Sequence, residues 1–269
     1  MKKKVYLILI GIFSLAFIVS AVYLGMYFAR SKRQADKYNQ LAQIVDNAKE
    51  NPSQTVPKET QPSSTDDQPE ATEPQEVLEP YREVYDMNRD TVGWIKIDGT
   101  VVNYPVMQTS EDNRDYYLRR NYYQEYETYG AGSIYAREEC DVFTPSDNVT
   151  LYGHNMHDGS MFHCLLDYED KKTWEKNNLI SFDTLYEYHT YQIFAVFKTT
   201  ATLDEGFAYH RMENAANKEE FDAFVAKCKE LAFYDTGITP AYGDKLLCLS
   251  TCEYTQENGR FVVAAVRIS

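Results

Sequence analysis

The sequence is poor in cysteine and contains no C-x-x-C spacing. Because its five cysteines are an odd number without that spacing, neither a disulfide-stapled scaffold nor a structural zinc site is indicated. Basic residues are also scarce beyond residue 40. Residues 1–40 hold seven of the 27 basic residues and one of the 41 acidic ones, so 20 basic residues face 40 acidic ones in the remainder. A body with this excess of acidic residues is a poor candidate for binding nucleic acid, because contacts with the phosphates need clustered Lys and Arg.

Long apolar runs are absent except at the N-terminus. Residues 5–29 carry no charge, and Lys residues occupy positions 2–4. A helix of that length exceeds the ~30 Å hydrocarbon core of a bilayer. We therefore predict that residues 1–30 form a transmembrane anchor that meets the lipid through residues 5–29, with a cytoplasmic N-terminus and the rest of the chain outside the cell. A signal peptide cleaved near Ala21 is the alternative, although signal h-regions run only ~7–15 residues.

A polar stalk is predicted between the anchor and the body, over residues 31–76. Its first part, 31–50, is polar with scattered apolar residues and can extend the helix by a few turns. Its second part, 51–76, contains five of the nine prolines of the chain and no aromatic residue. Such a segment buries too little apolar surface to fold, so it is expected to be an extended, semi-rigid spacer.

The body, residues 77–269, is predicted to be mainly β. Asp98-Gly99 lies between two β-rich runs and indicates a hairpin. Three helices are expected, a short one near 77–87, a weak one near 161–174 and a clear one over 218–233. The other strand-like runs are 132–136, 148–152, 191–199, 245–250 and 260–268. Many short strands with few helices favour one closed or nearly closed barrel.

Three residues carry the candidate chemistry. Cys252 follows a predicted strand, and a cysteine becomes a nucleophile only as its thiolate, which needs a positive neighbour. His154 leaves another strand directly after Gly153 and can supply that charge and then protonate a leaving amine. Arg260 begins the next strand, so a hairpin can bring it to the same rim, where a guanidinium can stabilise an oxyanion.

Each of these residues alone would more often be structural, because a free cysteine usually behaves as a small buried apolar residue. That structural role is expected for the other four cysteines of the chain. The combination of a cysteine, a histidine and an arginine in this order is what indicates an enzyme.

The segments around these residues resemble the sortases, the cysteine transpeptidases of Gram-positive surfaces. The family motif T-L-x-T-C corresponds to Cys248-Leu249-Ser250-Thr251-Cys252, with Cys where Thr is usual. A closer similarity to class B rests on residues 92–97, Tyr104-Pro105-Val106, Asp112-Asn113 followed by Tyr117-Leu118, and Tyr152-Gly153-His154-Asn155-Met156 followed by Met161-Phe162. The spacing from Asn113 to Leu118 is one residue longer than in the family.

The resemblance implies a closed eight-stranded β-barrel with an N-terminal helix and a long helix before the penultimate strand. It also implies that Cys252, His154 and Arg260 are catalytic, and that no metal or organic cofactor is needed. Substrate-binding roles are implied for four residues, namely Ser250 and Thr251 beside the nucleophile, and Asn113 and Leu118.

The implied reaction cleaves a C-terminal sorting motif of LPxTG or NPxTN type after Thr, through a thioacyl-enzyme, and transfers the protein to a peptidoglycan precursor amine. The partners are therefore surface proteins that carry a sorting signal, and no nucleic acid. One alternative is a pilus polymerase that uses a subunit Lys as the acceptor. Another is a stalked wall-binding module without catalysis, in which Cys252 and His154 are structural.

Overall fold

The computed structural model describes residues 2–51, 75–127, 130–202 and 205–269. The chain divides into two compact units, residues 1–40 and residues 41–269. Most of the Pro-rich part of the predicted stalk, residues 52–74, lies outside the described residues.

The first unit belongs to a long helix, α1, which spans Lys2–Glu50. Its large apolar side chains between Val5 and Phe28 are exposed, as expected of a helix whose surroundings are lipid. Within the described ranges, α1 is the one helix that is long and apolar enough to cross a bilayer. It therefore fits a single-pass membrane anchor.

The second unit starts upstream of the predicted boundary at residue 77, because the end of α1 packs within it. Leu41 and Val45 are four residues apart on one helical face, and each is only 1% exposed. Lys49 Nζ lies 3.0 Å from Asp183 Oδ2. Residues 41–50, which the sequence suggested were part of the stalk, are thus packed against the body.

Eight strands, counted over the described residues, form the body of the second unit. They are β1 (Thr91–Lys96), β2 (Asn103–Gln108), β3 (Ile134–Ala136), β4 (Asn148–Tyr152), β5 (Leu179–Thr184), β6 (Thr190–Thr200), β7 (Leu246–Cys252) and β8 (Gly259–Arg267). Their order around the sheet is β1-β2-β3-β4-β7-β8-β6-β5, closed into a barrel. The predicted eight-stranded barrel is therefore confirmed, and so is the hairpin of β1 and β2 around Gly99, whose φ of +73° suits glycine.

The helices differ in part from the prediction. Helix α2 (Glu79–Met87) and α4 (Lys218–Leu231) confirm two of the three expected helices, and α4 is the long helix before the penultimate strand. The continuous helix expected near 161–174 is wrong, because a 3-10 helix, His163–Glu169, ends at Asp170 before the short α3 (Lys171–Lys176) begins. Asp170 has an extended backbone, and its side chain caps α3 by accepting from the Lys172 amide.

Helix α4 covers the outer face of the barrel and so defines which strand residues point outward. Its Phe221, Phe224 and Val225 pack in one cluster with residues from three strands, namely Ala195, Phe197, Leu246, Cys248, Val262, Ala264 and Val266. Alternate residues of a strand share a face. Ser250, Cys252 and Arg260 therefore continue this outer face beyond the part covered by α4.

Candidate active site

Cys252 and Arg260 are paired across the hairpin of β7 and β8. They are Cα partners in the antiparallel register, and both are half-buried. Opposed residues of such a pair have side chains on the same face, about 5 Å apart at Cβ. The Arg260 guanidinium bends back at the hairpin, where Nη1 donates to the carbonyls of Asn258 at 3.2 Å and Gly259 at 2.9 Å. A permanent positive charge thus belongs to the residue that opposes Cys252 across the hairpin.

His154 reaches the same edge of the barrel from β4. That strand runs parallel to β7 with Tyr152 opposite Ser250, and the Gly153 amide donates to the Ser250 carbonyl at 3.1 Å. His154 and Cys252 each lie two residues beyond that Tyr152–Ser250 pair. Because parallel strands advance together, the imidazole and the thiol emerge at the same level of the sheet.

The imidazole of His154 is oriented by the turn Tyr116–Leu118. Its Nε2 lies 2.7 Å from the Leu118 carbonyl oxygen, and since a carbonyl only accepts, Nε2 carries a proton. Burial lowers the pKa of His154, the bond to Leu118 opposes that effect, and the positive charge of Arg119 adds to it. The net lowering favours the neutral ring, in which Nδ1 is free to exchange a proton with a reactant.

The turn that holds the Leu118 carbonyl is packed tightly against Gly132. A Cβ at Gly132 would lie 2.6 Å from the Leu118 oxygen and 2.7 Å from the Tyr117 oxygen, and the φ of Gly132 is +57°. The amide of Ser133 donates to the Tyr117 carbonyl at 3.1 Å. A glycine is therefore needed here both for its backbone conformation and for the close approach.

The other four cysteines differ from Cys252 in their surroundings. Burial raises the pKa of the Cys140 and Cys164 thiols to about 11 and raises those of Cys228 and Cys248 as well. A thiolate is disfavoured at all four positions. Cys252 and Cys164 are both half-buried, but of the two Cys252 lies at a strand end opposite Arg260, a position that suits a nucleophile.

Ser250 and Thr251, the predicted substrate contacts beside the nucleophile, are each 2% exposed in this structure. Thr251 alternates with Cys252 along the strand and points into the barrel. Ser250 shares the outer face, but its hydroxyl lies 2.5 Å from the hydroxyl of Tyr209, which covers it. Neither side chain is open to a bound peptide.

Asn113 and Leu118 lie on the segment between β2 and β3. Leu118 touches the site through its backbone carbonyl, which accepts from His154. Asn113 is exposed, and its backbone closes a turn with Ser110 at 3.0 Å. The structure thus brings Leu118, Cys252, His154 and Arg260 together at one edge, whereas Asn113 has no described contact with that group. No three His, Cys, Asp or Glu side chains among the described residues are grouped to hold a metal.

Residues 95–268 match the family model of the sortase domain. The chain belongs to the sortase family. Sortase B of Staphylococcus aureus is 34% identical over 181 residues, which cover 66% of this chain and 70% of the relative. Sortase B of Listeria monocytogenes is 34% identical over 190 residues, which cover 70% and 74%.

A solved structure gives the same assignment. The Staphylococcus aureus sortase B–substrate complex is 26% identical, with a TM-score of 0.72 over 90% of this chain and 99% of that one. The predicted membership of class B is thereby confirmed, and this sortase is a cysteine transpeptidase.

Two residues that contact the site of this sortase were not predicted from the sequence. Asn155 follows His154 directly, and its side-chain amide donates to the Cys252 carbonyl at 3.0 Å. Tyr209 comes from the turn Tyr209–Arg211, far before the nucleophile in the chain, and covers Ser250. The position of Asn155 beside a candidate histidine was the only available signal, and nothing in the sequence singles out Tyr209 among 23 tyrosines.

Proposed function

We propose that this sortase is a membrane-anchored enzyme that attaches exported proteins to the cell wall. Residues 5–29 of α1 hold it in the lipid bilayer, with the N-terminus in the cytoplasm and the catalytic barrel outside. The observation that carries the catalytic assignment is the convergence of Cys252, Arg260 and His154 at one edge of the barrel. The apolar, exposed surface of α1 supports the anchor.

In the proposed first step, the Cys252 thiolate attacks the carbonyl carbon of Thr in a sorting motif of LPxTG or NPxTN type. The carbonyl electron pair moves onto oxygen, and the Arg260 guanidinium stabilises that charge. The backbone amide of Glu253 is already bonded to the Gly259 carbonyl at 3.0 Å, so it is not a ready donor for the oxyanion. His154, whose Nδ1 took the thiol proton when the Cys252 thiolate formed, then gives that proton to the departing amine, and the Thr–Gly or Thr–Asn peptide bond breaks.

In the second step, an amine of a peptidoglycan precursor attacks the thioester carbonyl carbon that joins the motif's Thr to Cys252 in the acyl-enzyme. His154 accepts the proton that the amine loses, and Cys252 leaves as thiolate, which regenerates the enzyme. A new amide bond joins the surface protein to the wall. Family membership favours this transpeptidation over a wall-binding module without catalysis.

The test is mass spectrometry of the full chain after incubation with a panel of LPxTG and NPxTN peptides. The expected product is an acyl adduct on Cys252 that ends at Thr and is absent from the Cys252→Ala variant. Adding either a wall-type amine or a pilin domain with its acceptor Lys then distinguishes wall anchoring from pilus assembly. An adduct on another residue, or turnover by Cys252→Ala, contradicts the assignment.

A further inference from the structure

A hydrogen-bonded chain of side chains connects the two segments that carry the nucleophile and the histidine. Asn155 Nδ2 donates to the Cys252 carbonyl oxygen at 3.0 Å, and Asn155 Oδ1 lies 2.6 Å from His163 Nδ1. Asn155 is buried, 8% exposed, and it directly follows His154 in the chain. The side chain of Asn155 thus bonds to the backbone of the nucleophile Cys252, and the backbone of Asn155 is joined directly to His154.

The chemistry of the two bonds fixes the roles of all three groups. The Cys252 carbonyl only accepts, so the amide nitrogen of Asn155 must face it and the amide oxygen must face His163. His163 therefore carries a proton on Nδ1. Asn supplies a donor and an acceptor at once, which Asp and Ala cannot do.

The loop that holds this chain is itself closed by backbone bonds. The Phe162 amide donates to the His154 carbonyl at 3.0 Å, and Asn155 pairs with Met161 as an isolated bridge. This closure brings His163 back to Asn155. The loop is therefore a small framework that contacts Cys252 through the side-chain amide of Asn155, while the Tyr254 hydroxyl donates to the Asn155 carbonyl at 3.4 Å.

We propose that Asn155, oriented by His163, is a positioning residue that sets the Cys252 thiol relative to His154 and Arg260. It touches no reacting atom. Misplacing a reacting group by about 1 Å costs on the order of 10²-fold in rate, so loss of this bond should lower kcat more than it raises KM. The proposal rests on the proposed function for its turnover readout, but a second readout below does not.

The experiment compares variants of the full chain in detergent. In Asn155→Asp the oxygen toward His163 is kept and the donor toward Cys252 is lost, so kcat for sorting-peptide cleavage should fall about 10- to 100-fold with KM within about twofold. His163→Ala should lower kcat similarly, whereas His163→Asn, which can present an amide donor near the Nδ1 position, should restore most of it. Asn177→Asp is the matched control, because the Asn177 amide also donates to a backbone carbonyl, that of Asp98, away from the site.

A thiol-alkylation assay separates this proposal from the proposed function. In Asn155→Asp and His163→Ala, Cys252 should react with iodoacetamide at neutral pH several-fold more slowly, because the thiol is no longer held beside positive charge. In Asn177→Asp and His163→Asn, it should react at the normal rate. If no peptide is cleaved by the unmodified chain, the proposed function fails, and these rates still test the positioning role. Unchanged kcat and alkylation in folded Asn155→Asp, or equal losses in His163→Asn and His163→Ala, would overturn it.

Discussion

Cys252 and Arg260 are the last pair of the β7–β8 ladder before its connecting turn. The register places the two side chains on one face, since opposed residues of an antiparallel pair point the same way. The guanidinium is anchored to the carbonyls of Asn258 and Gly259, so its position does not depend on a bound peptide. The charge that we propose to stabilise the oxyanion is thus held at the hairpin before substrate arrives.

Arg260→Lys should therefore lower kcat/KM for sorting-peptide cleavage by about tenfold or more. A lysine ammonium keeps the charge but loses the planar fork that bonds the turn and the oxyanion together. Arg267→Lys is the control, because it lies at the far end of the same strand. Steady-state kinetics on both variants measures the difference, and equal activity in the two would contradict the role of Arg260.

The barrel and the hairpin that pairs Cys252 with Arg260 could be predicted from the sequence because both follow from local signals, whereas the place of His154 beside them was implied by the resemblance to the sortases. The Asp98-Gly99 turn, the alternating strand residues and the spacing of Cys252 and Arg260 each concern neighbouring segments of chain. Strand β5, Leu179–Thr184, was missed because only two residues separate it from the short helix α3, and neither of them is a glycine or a proline.

Features that depend on contacts distant in sequence could not be predicted. The burial of Ser250 depends on Tyr209, which lies 41 positions earlier in the chain. The packing of Leu41 depends on the folded body. Periodicity shows that such residues can be buried but does not show what covers them.

Ser250→Ala tests whether the Ser250 hydroxyl serves the core, through its bond to Tyr209, or the substrate. The substitution leaves the buried Tyr209 hydroxyl without its partner, so we expect a loss of about 1–2 kcal/mol in the free energy of unfolding. KM for the sorting peptide should stay within about twofold. Chemical denaturation and kinetics measure the two effects.

The double variant Ser250→Ala/Tyr209→Phe provides the check on that loss. Its cost should be smaller than the sum of the single costs, because the two hydroxyls bond to each other. A several-fold rise in KM with no change in stability would instead support the predicted role of Ser250 in the substrate groove.

Arg119→Gln should raise the pKa of His154. The positive charge of Arg119 disfavours the imidazolium, so its removal favours protonation. The limb of the pH–rate profile that follows His154 should move to higher pH. Titration of the imidazole by NMR measures the shift, and Arg120→Gln, whose guanidinium lies 4.7 Å from the Tyr116 ring centre, should not produce it.

A chain that begins at Leu41 should be more stable than one that begins at residue 77. Burial of Leu41 and Val45 contributes about 1.5–3 kcal/mol each, and without Lys49 the buried Asp183 loses its cation. Thermal unfolding of both truncated chains gives the comparison. Equal melting temperatures would support the boundary at residue 77 instead.

Gly132→Ala should impair both folding and turnover, whereas Gly99→Ala should impair folding alone. Both glycines have positive φ, so each alanine costs about 1–2 kcal/mol in backbone strain. A Cβ at Gly99 meets nothing within 4 Å, but one at Gly132 would lie 2.6 Å from the Leu118 carbonyl oxygen that accepts from His154. That carbonyl must shift, so the imidazole loses its orientation and kcat falls. The melting temperature and kcat of each variant measure the effects on folding and turnover. A folded Gly132→Ala enzyme that keeps full kcat would show that the contact between Leu118 and His154 is dispensable.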